Sequence, residues 1–409
     1  MSKIIYLIDQ PLDDRNYDRF GIRTWIARGW AVEVWDLTAL AHPRSWQTFV
    51  ESGHVLAVFF GYFSIASSRE LNRRFSKLEK IEHFIDLAGD GYWPTRARMR
   101  LARRGAIRVS CATGSIPSTA DIGDYGFAGK LIKTLSQQSI RSLFGRLTNT
   151  IVNRLAAPFI RPGLFVAAGE KSMSPAGHSK EILRAHNFDY DIYLRLRKPC
   201  DRLARQYGVF LDQDMCFHPE YIYANVPIYA TPEKYFPTIR NGLKVIADAL
   251  GTPMRIAAHP RVSREGKYTD RFEGIPVEYG KTAELISKCA FVVCHYTTAV
   301  QFAVLFNKPV IFVTTNELTS SAGGKYIETF ASTLGKSVIN LDGELSSVEW
   351  EKELNIDSQK YDEYRNMYIK TDGSPEIPHW DIVIDHLERI RGRLSSDSSE
   401  QRVHLGSGR

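Results

Sequence analysis

Between Met254 and Thr315 the sequence gathers residue types suited to gripping an anion. The apolar run MRIAA ends in His259-Pro260-Arg261, and thirty-eight residues beyond the histidine the run FVVCHY delivers Thr297-Thr298. Threonine hydroxyls at the start of a helix cap it, and with the free backbone N–H groups and the helix dipole they can hold a phosphate. An imidazole at a nearby strand end can donate to that phosphate, and Arg261 adds charge. Proline after the histidine fixes the turn and removes one backbone donor. Taken singly, a His-Pro pair reads as a turn and a Thr pair as a cap. Together, on neighbouring strand ends, they read as a phosphate site.

The elements that must position these groups are strands alternating with helices. KIIYLID (3–9), AVEVWDL (31–37), VLAVFFGY (55–62) and KIEHFIDLAG (80–89) read as strands, with helices at 17–29 and 68–80 between them. The pattern loosens after Gly91 and resumes with GLFVAAGEK and EILRAHNFDYDIYLRLRK. A second, more regular run follows: strands at 207–214, 254–261, 275–280, 291–296 and 309–315, with helices at about 232–250 and around TAELISKC and TTAVQFAVLFN. Short turns between alternating elements predict parallel sheets covered by helices. YDEYRNMYIK and HWDIVIDHLERIRGRL read as closing helices.

At 409 residues, with 44% hydrophobic and 24% charged residues, the chain predicts two globular domains rather than a coiled coil, a fibre or a disordered polymer. Its longest apolar stretches, at 54–63 and 289–294, are too short to span a bilayer. The N-terminus shows no secretory pattern, so the expected location is the cytosol, either soluble or peripheral on the inner face of the cytoplasmic membrane. Five cysteines without CxxC spacing argue against a disulfide framework and a thiolate zinc site. No P-loop, HExxH, GxSxG or complete GxGxxG occurs.

The net charge of +7 is concentrated. Residues 91–169 carry twelve bases against only Asp121 and Asp124, leaving the remainder slightly acidic. Within 125–165 the bases alternate with Leu, Ile, Phe and Val at three- and four-residue steps, the pattern of an amphipathic basic helix. Such a helix suits an anionic lipid surface, where each base contributes about 1 kcal/mol, or a core-packed helix with a solvated basic face. Nucleic acid is disfavoured, since no recognition module accompanies the block.

The His-Pro pair followed some forty residues later by a Ser/Thr pair, just before an apolar strand, resembles the donor half of bacterial GT-B sialyltransferases and Kdo transferases. The same order is similar to that of the CDP-glycerol glycerophosphotransferases. The likeness covers roughly residues 205–320 and implies a cytidine nucleotide donor. It implies that His259 contacts the donor phosphate and assists its departure, with Thr297 and Thr298 holding it; Arg261 is a donor-binding candidate by its charge. The sialyltransferase pattern draws its base from an acidic Asp-Gly motif, and no Glu-Asp-Gly occurs here. Two candidates stand for the base: Asp212, closing YGVFLDQD, and Asp90 in AGDGYW. An inverting glycosyl transfer needs one such carboxylate to take the acceptor proton. Asp212-Gln213-Asp214 also reads as DxD, the metal-binding pattern of GT-A enzymes. Lys325, after a Gly pair on an expected mobile loop, is a further donor-binding candidate. His186, Asp189 and Asp191 are possible cleft residues, His295 reads as a buried strand residue, and Asp9 and Gln10 occupy a usual acceptor-side position.

The expected fold is α/β, GT-B, with two Rossmann-like domains facing across a cleft and C-terminal helices. Residues 1–200 form the acceptor side with the basic insertion at about 125–165, 201–394 the donor domain, and 395–409 a disordered tail. The expected function is metal-independent transfer of an acidic sugar, a nonulosonic acid or Kdo, from a CMP-linked donor to a bacterial surface glycan such as lipopolysaccharide or capsule, free or lipid-linked. No cofactor is expected beyond the nucleotide sugar as substrate. The rivals are a UDP-sugar GT-B transferase, a CDP-glycerol-type glycerophosphotransferase, and a non-catalytic, membrane-associated sugar-binding protein.

Overall fold

The computed structural model describes residues 2–51, 55–112, 114–117, 156–173, 179–197, 207–217, 228–259, 262 and 269–406, with side chains as far as 392. Two parallel sheets organise them. The first comprises β1 (Lys3–Ile8), β2 (Ala31–Asp36), β3 (Tyr62–Ser64), β4 (His83–Asp86), β5 (Ile107–Cys111), β6 (Leu164–Ala168) and β7 (Glu181–Ala185) in the order β3-β2-β1-β4-β5-β6-β7. The second comprises β8 (Gly208–Leu211), β9 (Met254–Ala257), β10 (Val277–Glu278), β11 (Val292–Cys294), β12 (Val310–Thr314) and β13 (Val338–Asn340) in the order β10-β9-β8-β11-β12-β13. Each order winds outward from its first strand in both directions, the doubly wound Rossmann arrangement. The architecture is therefore the GT-B combination of two Rossmann-like units with C-terminal helices.

Strands covered on both faces read as unbroken apolar runs, and so they do here. VIFVT of β12 is wholly buried. In β1, Ile4, Tyr6 and Ile8 join one apolar cluster and Ile5 and Leu7 another, on opposite faces. Val209 and Leu211 against Phe210 divide the second sheet's core in the same way. The helix Pro232–Leu250 begins with proline in its first turn, ends on Gly251 at φ 58°, and buries Phe236, Ile239, Leu243 and Ile246 along one stripe.

Contacts divide the chain differently from the boundary drawn at 200. The first unit comprises Met1–Thr113, Ser139–Phe188 and Thr371–Arg409, so it takes the last helix, and the second comprises Gly114–Gln138 and Asp189–Lys370. Trp380 of that helix stacks on Phe188 at 5.5 Å and donates its indole N–H to Arg19 O at 2.9 Å. The tail expected to be disordered from 395 instead continues the helix His379–Gly406, which meets no proline and ends at glycine.

Other local expectations shift. The helix expected at 17–29 breaks into Asp14–Arg19 and Ile22–Ala27 because Gly21 adopts φ 63°. The third strand forms only at Tyr62–Ser64; residues before it expose Val55, Val58 and Phe60, which find no strand to pair with in parallel. Inside the basic block lie the helix Tyr92–Arg103 and β5. Several of its bases are structural: Arg98 and Arg108 both bind the buried carboxylate of Asp86, and Arg104 donates to Leu78 O at 3.1 Å. Residues 118–155, holding most of the expected amphipathic helix, lie outside the described residues. No described helix is long and apolar enough to cross a membrane.

Candidate functional site

In an open parallel sheet, ligands bind outside the carboxyl ends of the strands where the winding reverses. In the second unit that point lies between β8 and β11. Asp212 follows β8 directly, and its N–H continues the ladder to Ala257 O at 3.1 Å. Its carboxylate, 5% exposed, accepts from the Asp214 N–H at 3.2 Å. Between them, Gln213 Oε1 accepts the Tyr296 N–H at 3.0 Å, tying the loop after β8 to the loop after β11. Asp214, held at φ 52°, pairs with Arg271 at 3.1 Å, and that guanidinium lies 4.3 Å from the Phe217 ring centroid. The DxD sequence is thus a folded turn with one carboxylate engaged by arginine. Among the described residues, no group of three or more His, Cys, Asp or Glu is placed to hold a metal ion.

Thr297 and Thr298 follow β11. The Thr297 hydroxyl accepts the Ala299 N–H at 3.2 Å, while Thr298 is exposed. Both carbonyls accept turn hydrogen bonds that lead into the helix Val300–Leu305. Beneath this loop His295 is fully buried. Its Nδ1–H donates to Val313 O at 2.7 Å, so Nε2 accepts the Tyr235 hydroxyl at 2.8 Å. Burial lowers its pKa to about 4, which keeps the ring neutral and makes it a brace for the site's floor.

His259 stands just beyond β9, half-buried, and its carbonyl accepts the Val262 N–H at 3.0 Å. The expectation of adjacent strand ends needs correction here. β9 and β11 flank β8, so His259 and the Thr pair leave strands about 10 Å apart, with Asp212 leaving the strand between them. The cause is the winding itself: the chain adds β9 and β10 on one side of β8 before crossing to β11. Arg261 lies outside the described residues.

Lys325 is not on a loop. It is an exposed residue of the helix Ala322–Thr333, whose Gly324 packs where a Cβ would come within 2.7 Å of Thr319 O. The Gly pair signals close packing rather than mobility. His186 is buried, 2.9 Å from Ile377 O through Nε2, and Asp189 accepts from Gln301 at 2.6 Å, so both are tied into the fold.

Asp90 belongs to the first unit, exposed on the turn that leads from β4 into the helix Tyr92–Arg103. That unit reverses its winding between β1 and β4. Asp9, just beyond β1, accepts the Gly89 N–H at 3.0 Å and pairs with His42 Nε2 at 3.0 Å. The Asp9 hydrogen bond raises the His42 pKa above the ordinary histidine value. His42 went unread in the sequence, although His42-Pro43-Arg44 repeats the tripeptide at 259–261.

No protein-family model matches the chain, and no curated protein is similar to it in sequence. Among solved structures, the chain is similar to the spinosyn forosaminyltransferase SpnP (13% identity, 95% of this chain and 99% of that chain, TM-score 0.46). It is similar to MurG of Acinetobacter baumannii (8% identity, 94% and 99% covered, TM-score 0.45). It is also similar to the UDP-GlcNAc 2-epimerase of Methanocaldococcus jannaschii (11% identity, 95% and 100% covered, TM-score 0.48). Likeness at this level speaks to neither substrate nor reaction, and the fold assignment rests on the strand orders above.

Proposed function

We propose that the protein is a GT-B glycosyltransferase that binds a nucleotide sugar at the carboxyl ends of β8, β9 and β11. The observation that supports this is the placement of Asp212, Thr297 and Thr298 on the two strands of one switch point, with His259 on the next strand out. The donor we favour is a CMP-linked acidic sugar, a nonulosonic acid or Kdo. The acceptor we favour is a bacterial surface glycan or its lipid-linked form. Attachment to the inner face of the cytoplasmic membrane is proposed on the charge of residues 125–165 alone.

In this mechanism the acceptor oxygen bonds to the anomeric carbon as that carbon's bond to the CMP phosphate oxygen breaks. The acceptor proton passes to a base. His259, the Thr pair and Arg261 stabilise the charge that grows on the departing phosphate. Asp212 is the base candidate within the second unit. Within the first unit, the hydrogen-bonded Asp9–His42 pair is better held than the exposed Asp90 and displaces it as the candidate there.

A thermal-shift panel of CMP, CDP, UDP, GDP and TDP tests the reading. CMP should raise the melting temperature most. A larger shift with UDP would assign a UDP-sugar transferase, and a preference for CDP together with turnover of CDP-glycerol would assign a glycerophosphotransferase. Silence from all five would overturn the nucleotide site and leave a sugar-binding protein.

A further inference from the structure

We propose that the first unit carries a second ligand site, for an anionic amphiphile with a phosphate head on a hydrocarbon chain, at the amino-terminal edge of its sheet. This site is independent of the reaction proposed above. Nucleotide sites lie at the carboxyl ends of parallel strands, and this one lies at the other end.

A cavity of about 1040 Å³ opens where β4, β5, β6 and β7 begin. The edge is continuous. Ile107 N–H donates to Glu82 O at 2.7 Å, Gly163 N–H to Arg108 O at 2.9 Å, and Glu181 N–H to Gly163 O at 3.1 Å. The apolar part of the lining comprises Phe159, Ile160 and Ile107 together with Leu387 and Ile390 of the last helix. Phe159 is 70% exposed and Ile107 43%, and both belong to the one lining.

Three polar groups of the lining point to the head. Arg161 and Lys180 are exposed and enter no ion pair among the described residues. His83 is 95% buried (5% exposed), and its Nδ1 has no hydrogen-bond partner among the described residues. Buried polar atoms are almost always paired, so an orphan in a cavity wall calls for a missing partner. The other lining charges are engaged: Arg98 and Arg108 hold Asp86, and Glu181 pairs with His386 at 3.0 Å. Two cations with no ion pair among the described residues, and an orphan imidazole beside an apolar wall, match a phosphate on a chain better than a nucleotide, whose sugar hydroxyls would face hydrocarbon.

Titration calorimetry of the full chain with n-dodecyl phosphate below its micelle concentration is the test, with inorganic phosphate and dodecyl maltoside as controls. One equivalent of dodecyl phosphate should bind, and each control should bind at least about tenfold more weakly because it offers half of the recognition. The double variant Arg161→Ala/Lys180→Ala, both sites being exposed, should keep its circular dichroism melt and lose about tenfold or more in affinity. Ile390→Asp, which charges the wall, should weaken binding without touching the cations. Sedimentation with phosphatidylglycerol vesicles tells a bilayer lipid from a free amphiphile: loss of sedimentation in the same variants assigns the bilayer. Absence of binding, equal binding of inorganic phosphate, binding only above the micelle concentration, or unchanged affinity in both variants would overturn the proposal.

Discussion

At the scale of single residues, carboxylates organise both halves of the chain. Asp9 raises the pKa of His42, so that the pair exists as an ion pair below the raised value and is lost as pH rises through it. A nuclear magnetic resonance titration should place the His42 midpoint above about 6.5, and Asp9→Asn should bring it down towards that ordinary value. An unchanged midpoint would remove the pair from the mechanism. Asp86 plays a different part. Its carboxylate is fully buried and meets Arg98 through two hydrogen bonds, at 2.6 and 3.1 Å. Asp86→Ala would leave a guanidinium buried without its partner and should cost roughly 3–5 kcal/mol in guanidinium denaturation. Of these residues, Asp9 was readable as a strand-end carboxylate. His42 was not, because its partner lies thirty-three positions away and only the fold brings them together. Asp86 was hidden in the same way, since its two arginines read only as part of the basic excess at 91–169.

At the scale of elements, apolar runs such as IIYLI and VIFVT declare buried parallel strands through composition alone, and these were legible. Elements whose place depends on a distant partner were not. The apolar run at 55–62 lacks a parallel neighbour for most of its length, and β5 interrupts its apolar run with Arg108 and Ser110. Gly21 adopts φ 63°, and a Cβ there would lie 2.1 Å from Trp380 Cδ1. Gly21→Ala should therefore destabilise the first unit by about 3 kcal/mol, combining backbone strain with overpacking. Gly29→Ala, at φ 80° with open space around it, should cost only the strain, about 1–2 kcal/mol. Equal losses in the two variants would show that the last helix does not press on this turn.

At the scale of the molecule, the alternation of strands and helices announced two Rossmann-like halves, and strand order delivered them. The return of the last helix to the first unit had no such signal, since helical periodicity says that a face is buried but not against which sheet. That Asp212, His259 and the Thr pair follow strand ends was legible from the apolar runs before them. The order of those strands was not, because the sequence order β8, β9, β11 conceals that β8 lies in the middle. The account turns on whether that middle position gathers a nucleotide. Calorimetry with CMP should show one site in the native chain, with affinity falling about tenfold or more in His259→Ala and in Thr297→Val/Thr298→Val, each of which removes phosphate hydrogen bonds. Unchanged CMP affinity in both variants, or no CMP binding by the native chain, would contradict it.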